Sequence, residues 1–225
     1  MLESFGIIWV LKKDFLPEDL EAYIQAHCQE EPQLLTELNR ETWLKVLVPR
    51  MLSGHVQGRV LSMLSKMIQP SYVLEIGTYT GYSAICFAEG LQEDGKIITI
   101  DKNEELTPIL KKYMFESERG KQIEFKVGMA SDIIPDLEDG IDLVFIDADK
   151  ANYSLYFDLV IDKVVPGGYI MADNVLWCGN VVNESRKEDK GTKGIIEFNA
   201  KVQADDRVEN VLFPVRDGIM VMRKK

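Results

Sequence analysis

The sequence predicts an α/β protein: a seven-stranded, mostly parallel sheet with helices on both faces, a C-terminal antiparallel hairpin and an N-terminal helical extension. Three observations carry this expectation. Between residues 72 and 172 five short apolar runs alternate with helical runs, the pattern that builds parallel sheets. The first apolar run, residues 72–75, passes through Ile76 and Gly77 to Gly81 and then into a helical run from Tyr82, a strand-turn-helix of the kind that brings backbone N–H groups close to a nucleotide. Finally, two apolar runs, 208–215 and 219–222, are joined by Arg216-Asp217-Gly218, and Asp-Gly between strands signals a hairpin.

Taken in order, residues 1–49 read as the helical extension. One helix starts at Pro17, with Glu18, Asp19 and Glu21 in its first turn and Leu20, Ile24 and His27 on one face. Glu31-Pro32 breaks it, and a second run follows through Leu34, Leu35, Leu38 and Leu44. Residues 50–225 form the main domain. Met51 and Ser53 lie where a loop reaches a ligand on the sheet, and a helix containing Gly58 runs on to about Ile68. The second strand, 96–100, ends at Asp101, and Asn103 caps a helix to about Ser117. The third, 122–127, ends at Gly128, with a short helix from near Ala130. The fourth, 141–146, ends at Asp147, and its helix spans about 152–163. Pro166-Gly167-Gly168 reads as a turn before the fifth strand, 169–172, which ends at Asp173-Asn174; a last helix covers about 195–204.

Composition narrows the function classes. A chain of 225 residues with 46% hydrophobic content suits one large domain with a substantial core. The net charge of −11 argues against nucleic acid as a partner, because phosphate binding needs clustered cations. Cys28, Cys86 and Cys178 are odd in number and widely spaced, which suggests neither a disulfide framework nor a zinc knuckle and fits a reducing cytosol. The apolar run 7–11 is too short to span a membrane, and it lacks the basic flank and cleavage site of a signal peptide. A soluble, cytoplasmic protein with no membrane partner is expected.

The spacing Gly77-x-x-x-Gly81 is neither a dinucleotide fingerprint nor a P-loop, so no pyrophosphate cradle is implied. Gly77 permits a sharp turn, and Gly81 leaves room for a ligand against the backbone. Glu75 repels phosphate but suits a cationic or hydroxyl-bearing ligand, a combination that points to S-adenosylmethionine (SAM), whose methionine part carries an ammonium and a sulfonium. Acids also stand at the ends of the next strands: Asp101, Asp147 with Asp149, and Asp173. Asp101 falls where an acid takes the ribose hydroxyls of a nucleoside. With the fourth and fifth strands adjacent, about 5 Å apart, Asp147 converges on Asp173 and Asn174. Two carboxylates and an amide oxygen are hard ligands for Mg²⁺, Mn²⁺ or Ca²⁺, and we read them so rather than as an Asx-type turn. Lys150 stands at the rim: beside a cation and a sulfonium its pKa falls and it accepts a proton, or it simply pairs with Asp149. His27 and His55 read as structural. Residues 183–194 fit either a solvated loop or a flap, and Trp177 either a wall for an aromatic ring or a core residue.

From about Arg50 to its end the chain resembles the cation-dependent class I O-methyltransferases typified by caffeoyl-CoA and catechol O-methyltransferases, closer to the caffeoyl-CoA and bacterial branch. The resemblance rests on Leu74-Glu-Ile-Gly-Thr-Tyr-Thr-Gly-Tyr-Ser83, Phe145-Ile-Asp-Ala-Asp-Lys-Ala-Asn-Tyr153, Pro166-Gly-Gly168, Asp173-Asn-Val-Leu-Trp177 and Asp217-Gly218. It implies a Rossmann-like fold and transfer of the SAM methyl to a hydroxyl of a vicinal diphenol, leaving S-adenosylhomocysteine (SAH). It further implies that Asp147, Asp173 and Asn174 hold the metal and that Lys150 is the base or orients the reacting oxygen. Glu75, Gly77, Tyr79, Ser83, Asp101, Asp147 and the backbone near Ala130 are implied to line the SAM site, with Met51 and Ser53 closing it. A homodimer is implied, with the N-terminal helices shaping the pocket and the subunit contact. Residues 1–49 match least, so a free catechol and a coenzyme A thioester both stay open as acceptors, and Gly128-Met129-Ala130 departs from both branches. Two other readings compete: an NAD-type oxidoreductase, weakened by the missing glycine fingerprint, and a SAM-binding protein that acts on a non-catechol acceptor or has lost turnover.

Overall fold

A computed structural model describes residues 16–225; the apolar run 7–11 lies outside them. Two helices, α1 (Glu18–Ala26) and α2 (Gln33–Lys45), precede α3 (Gly54–Ile68). The sheet domain follows as β1 (Tyr72–Ile76), α4 (Tyr82–Ala88), β2 (Lys96–Asp101), α5 (Thr107–Glu116), β3 (Ile123–Val127), α6 (Ala130–Ile133), β4 (Ile141–Ile146), α7 (Tyr153–Ile161) and β5 (Val164–Asp173). It closes with α8 (Lys190–Ala204), β6 (Val208–Phe213) and β7 (Ile219–Lys224). Most of these bounds fall within a residue or two of those read from the sequence, because apolar runs bounded by polar or glycine turns mark their own ends.

The strand order is β3-β2-β1-β4-β5-β7-β6. β1 to β5 are parallel, while β7 inserts antiparallel between β5 and β6. Every residue of β1 is buried, as expected of a central strand covered on both faces. One face packs Ile76, Val144 and Ile170 with Phe157 of α7 and Phe198 of α8. The other packs Val73, Leu143 and Met171 with Leu61 of α3, Phe87 of α4 and Leu110 of α5. Chain direction across the sheet reverses between β1 and β4. Open α/β sheets form a crevice at such a point, outside the carboxyl ends of the strands.

Four details differ from the sequence expectations. Pro166-Gly167-Gly168 lies within β5 as a bulge: Ile141 pairs with Val164, but Leu143, two residues on, pairs with Tyr169. Helix α8 begins at Lys190, earlier than expected, because Asp189 caps it by accepting from the Thr192 N–H and hydroxyl, each at 3.0 Å. Asn103 caps a short 3₁₀ turn that leads into α5. Helix α2 buries Leu35, Leu38 and Thr42, whereas Leu44 is exposed, since the buried hydroxyl of Thr42 turns inward to Thr80. Among the described residues no helix is long and apolar enough to cross a membrane.

Candidate active site

The carboxyl ends of β1, β2, β4 and β5 open into a cavity of about 1150 Å³, somewhat larger than a typical single small-molecule site. Its floor is set by Gly77. There φ is +102°, and an added Cβ would lie 2.0 Å from the carbonyl oxygen of Asp147. The Gly77 N–H donates to Ile100 O at 2.9 Å, and the Asp147 N–H donates to Ile76 O at 2.8 Å. The loop after β1 is thus wedged between the ends of β2 and β4, a position only glycine fills without strain. Gly81 does not line the cavity. Its φ of +87° starts α4, and a Cβ there would meet only Leu110, so its role is the turn rather than room for a ligand.

Tyr79, at φ 51°, donates its N–H to Asp101 Oδ2 at 2.8 Å and its hydroxyl to Val48 O at 3.0 Å. Asp101 Oδ1 accepts from the Asn103 N–H at 2.9 Å. The carboxylate is therefore locked in orientation, yet each oxygen keeps acceptor capacity for a further donor. Gly128, Met129 and Ala130 supply the adjoining wall. Met51 and Ser53 form the rim, and residues 45–48 at the end of α2 and just beyond it extend it.

Glu75 and Ser83 lie elsewhere. Glu75 is fully buried, and neither residue lines the cavity. The Glu75 carboxylate accepts from the Ser83 and Thr99 hydroxyls, each at 2.5 Å, and ties α4 and β2 together behind the wall. Burial pushes its pKa up to about 8 against the pull of those hydroxyls, with the charges of Asp147 and Asp101 adding to the rise.

On the other side, Asp147, Asp173, Asn174 and Lys150 meet in the same cavity. Ile146 of β4 is paired with Ala172 of β5, so Asp147 and Asp173 each follow an aligned residue. Lys150 Nζ donates to Asp147 Oδ1 at 2.9 Å and to the Tyr153 hydroxyl at 2.5 Å, and that hydroxyl donates to the carbonyl of Asp173 at 3.0 Å. The pairing with Asp149 considered from the sequence is not made; Asp149 instead accepts from Tyr156 and Asn152. Burial works against the charge of Lys150, but Asp147, Tyr153 and Asp173 outweigh it and raise its pKa above the ordinary lysine range. Asp173, 3% exposed, accepts from Gln57 Nε2 at 2.7 Å and from the Asn174 N–H at 2.8 Å. Burial and the nearby charge of Asp147 push its pKa up to about 6.

A divalent cation fits this edge. Its donors are hard oxygens, and two neighbouring carboxylates, one of them buried, repel each other in a way that added positive charge relieves. Among the described residues no group of three or more His, Cys, Asp or Glu side chains is set to hold a metal. The edge offers two carboxylates and one amide, so a cation held there would take its other ligands from water or substrate.

Trp177 stands both at the cavity and on the core. It lines the cavity, with Lys150 Nζ 5.8 Å from its ring, and it also packs on the core beside α8. Of residues 183–194, only Lys190 and Gly191 reach the cavity. Gly194 lets α8 lie against the backbone of Lys150 and Ala151, where a Cβ would sit 2.5 Å from Lys150 O. His27 and His55 bond to the carbonyls of Tyr23 and Gln29, away from the cavity. Sequence reasoning gave no role to Tyr153, Gln57 or Arg216. Tyr153 sits three residues after Lys150, a spacing that brings side chains together in one turn, so that signal was present. Gln57 and Arg216 carried none, being brought in from distant parts of the chain.

The O-methyltransferase family profile matches residues 25–225. A caffeoyl-CoA O-methyltransferase of Petroselinum crispum is 38% identical over 205 residues, covering 86% of this chain and 85% of that one. Among solved structures, the SAH-bound methyltransferase PaMTH1 of Podospora anserina superposes with a TM-score of 0.85 at 25% identity, covering 93% of this chain and 98% of that one. The O-methyltransferase TomG of Streptomyces achromogenes, solved in complex with SAM, superposes with a TM-score of 0.83 at 25% identity, covering 92% and 96%. With a family match that begins inside the N-terminal helices and runs to the last residue, over the expected sheet order, the chain belongs to the O-methyltransferase family.

Proposed function

We propose that this protein moves the methyl group of SAM to one hydroxyl of a vicinal diphenol held at a divalent cation by Asp147, Asp173 and Asn174. The observation that carries the reading is the meeting of this hard-oxygen edge and Lys150 with Asp101, Gly77 and Ala130 in one cavity. SAM and SAH in related structures of similar fold support the choice of methyl donor.

In this reading Asp101 takes the ribose hydroxyls, the backbone at Ala130 faces the adenine, and Gly77 holds the loop after β1 close against Asp147 on the donor's side. SAM supplies the transferable methyl. A phenol, with a pKa of about 10, is a weak nucleophile at neutral pH, and a divalent cation supplies the Lewis acidity that favours its anion. Lys150, braced by Tyr153 and Asp147, stands at the same edge, where it orients the reacting oxygen or takes its proton. Holding oxygen, methyl and sulfur in line accounts for much of the acceleration. Trp177 offers a face to the acceptor ring.

The described part of the N-terminal extension, residues 16–49, walls the acceptor side: Lys45, Val46, Leu47 and Val48 line the cavity. The exposed apolar Trp43, Leu44 and Leu47 support the expected homodimer. The caffeoyl-CoA relative supports a caffeoyl-type acceptor, and a small free catechol is the second candidate. The test is methyl transfer from labelled SAM to vicinal diphenols, including caffeic acid and caffeoyl-CoA, with Mg²⁺ and with chelator. Transfer that stops with chelator and in Asp173→Ala is expected; transfer indifferent to both would sink the reading.

A further inference from the structure

Gln57 is 1% exposed and does not line the cavity, yet it touches the deepest residue of the cation edge. Its Nε2 donates to Asp173 Oδ2 at 2.7 Å, and its Oε1 accepts from Arg216 at 2.9 Å. A guanidinium can only donate, so Arg216 dictates which end of the amide is oxygen and leaves the NH₂ toward Asp173. The flipped amide would set N–H against N–H and oxygen against carboxylate, losing both bonds. The same Arg216 nitrogen also donates to the carbonyls of Leu52 (3.3 Å) and Ser53, which anchors the hairpin loop to the segment at the cavity rim.

We infer that Gln57 and Arg216 are positioning residues for Asp173, tuning the affinity of the Asp147, Asp173 and Asn174 edge for a divalent cation. The inference rests on the cation reading given above. Asp173 needs a fixed orientation and an undiminished charge to serve as a ligand. A lysine or arginine bonded directly to it would supply the first and compete with the cation. The amide supplies orientation with a dipole alone, and the positive charge of Arg216 is kept one residue further away. With Asn174 N–H on Oδ1 and Gln57 on Oδ2, both carboxylate oxygens are held and each keeps acceptor capacity.

The experiment is Mn²⁺ binding to the full chain saturated with SAH, read by the electron paramagnetic signal of free Mn²⁺. SAH affinity is measured by calorimetry, and a melt checks each variant. Wild type is expected to bind Mn²⁺ and Asp147→Ala to lose it. Gln57→Met, which keeps length and removes the amide, should bind Mn²⁺ about 10- to 100-fold more weakly, the usual cost of losing a partner behind a metal ligand. Its SAH affinity should stay within about twofold. Arg216→Met should weaken Mn²⁺, and also SAH because it frees the rim segment. Combining the two should weaken Mn²⁺ by no more than about twofold beyond Gln57→Met, since Arg216 acts on the cation through Gln57. Wild-type Mn²⁺ binding that survives in Gln57→Met within about twofold overturns the inference alone. If Gln57→Met does not fold, Arg216→Met in the hairpin loop carries the test, and unchanged Mn²⁺ affinity there overturns it equally. Wild type that binds no Mn²⁺, with Asp147→Ala no different, overturns the cation reading together with this inference.

Discussion

The two sides of the cavity are built differently. Beside β1 and β2 the wall is mostly backbone: Gly77 wedged against Asp147 O, Tyr79 and Asn103 N–H groups holding Asp101, and the turn at 128–130. Beside β4 and β5 it is a network of buried charge, in which Lys150, Tyr153, Asp147, Asp173 and Gln57 hold one another. The first side depends on where the chain turns, the second on which side chains meet. A side built from turns tolerates changes that keep the backbone path. A side built from paired charges fails when one partner is removed, because the other is left buried and unmatched.

The largest expected effect tests that contrast directly. Asp147→Ala takes a carboxylate from both Lys150 and the proposed cation edge, and kcat/KM for the proposed methyl transfer to a diphenol should fall at least about 10³-fold. SAH affinity, measured by calorimetry, should change far less; an equal loss would erase the distinction between the two sides.

Glu75 is the exception, an ionisable group behind the backbone-built side. Its pKa is raised in the fold to about 8 from 4.5. The unfolded chain therefore ionises Glu75 first as pH rises. Its contribution favours folding below pH 4.5 and is lost progressively between pH 4.5 and 8. Glu75→Gln should remove that slope, so that in urea unfolding the variant gains on wild type across this window by roughly 5 kcal/mol. Parallel pH profiles would mean that Glu75 is ionised in the fold.

The two glycines sharpen the comparison within one loop. Gly77→Ala meets Asp147 O at 2.0 Å and should destabilise by about 3 kcal/mol, a fall in Tm on the order of 10 °C. Gly81→Ala has only Leu110 nearby, at 3.5 Å, and should cost about 1 kcal/mol, the strain of its positive φ. Similar melting temperatures for the two would remove the wedge from the account. A smaller change is expected from Asp101→Asn, which keeps an acceptor for Tyr79 and Asn103: SAH affinity should fall about tenfold, the scale of a lost charge-assisted hydrogen bond, with Mn²⁺ affinity unmoved.

How much of this was legible follows from how local each cause is. The strands at 72–76, 96–101 and 141–146 declared themselves by apolar runs ending in glycine or acid, and a strand end fixes where its next residue points. Asp101, Asp147 and Asp173 could therefore be assigned to one edge before any fold was seen. The hairpin signal at Asp217-Gly218 was equally local, but nothing in it said that β7 inserts between β5 and β6, a choice made by pairing with β5. Glu75 illustrates the opposite limit. Its place at the end of β1 suggested a ligand contact, while alternation along the strand turned it to Ser83 and Thr99. Lys150 took Asp147 rather than Asp149, because Tyr156 and Asn152 already occupy Asp149.

By itself, then, the sequence determined the alternation of strand and helix, the acids at the strand ends and the turn glycines, since each depends on side-chain period, burial and backbone freedom within a few residues. Tertiary structure decided the partners: Gln57 on Asp173, Arg216 on Gln57, Gly194 against Lys150 and the insertion of β7. Those contacts join residues 40 to 160 positions apart, and such distances close only when the whole sheet and its helices pack, because a buried donor or acceptor takes whichever partner the assembled core brings within reach.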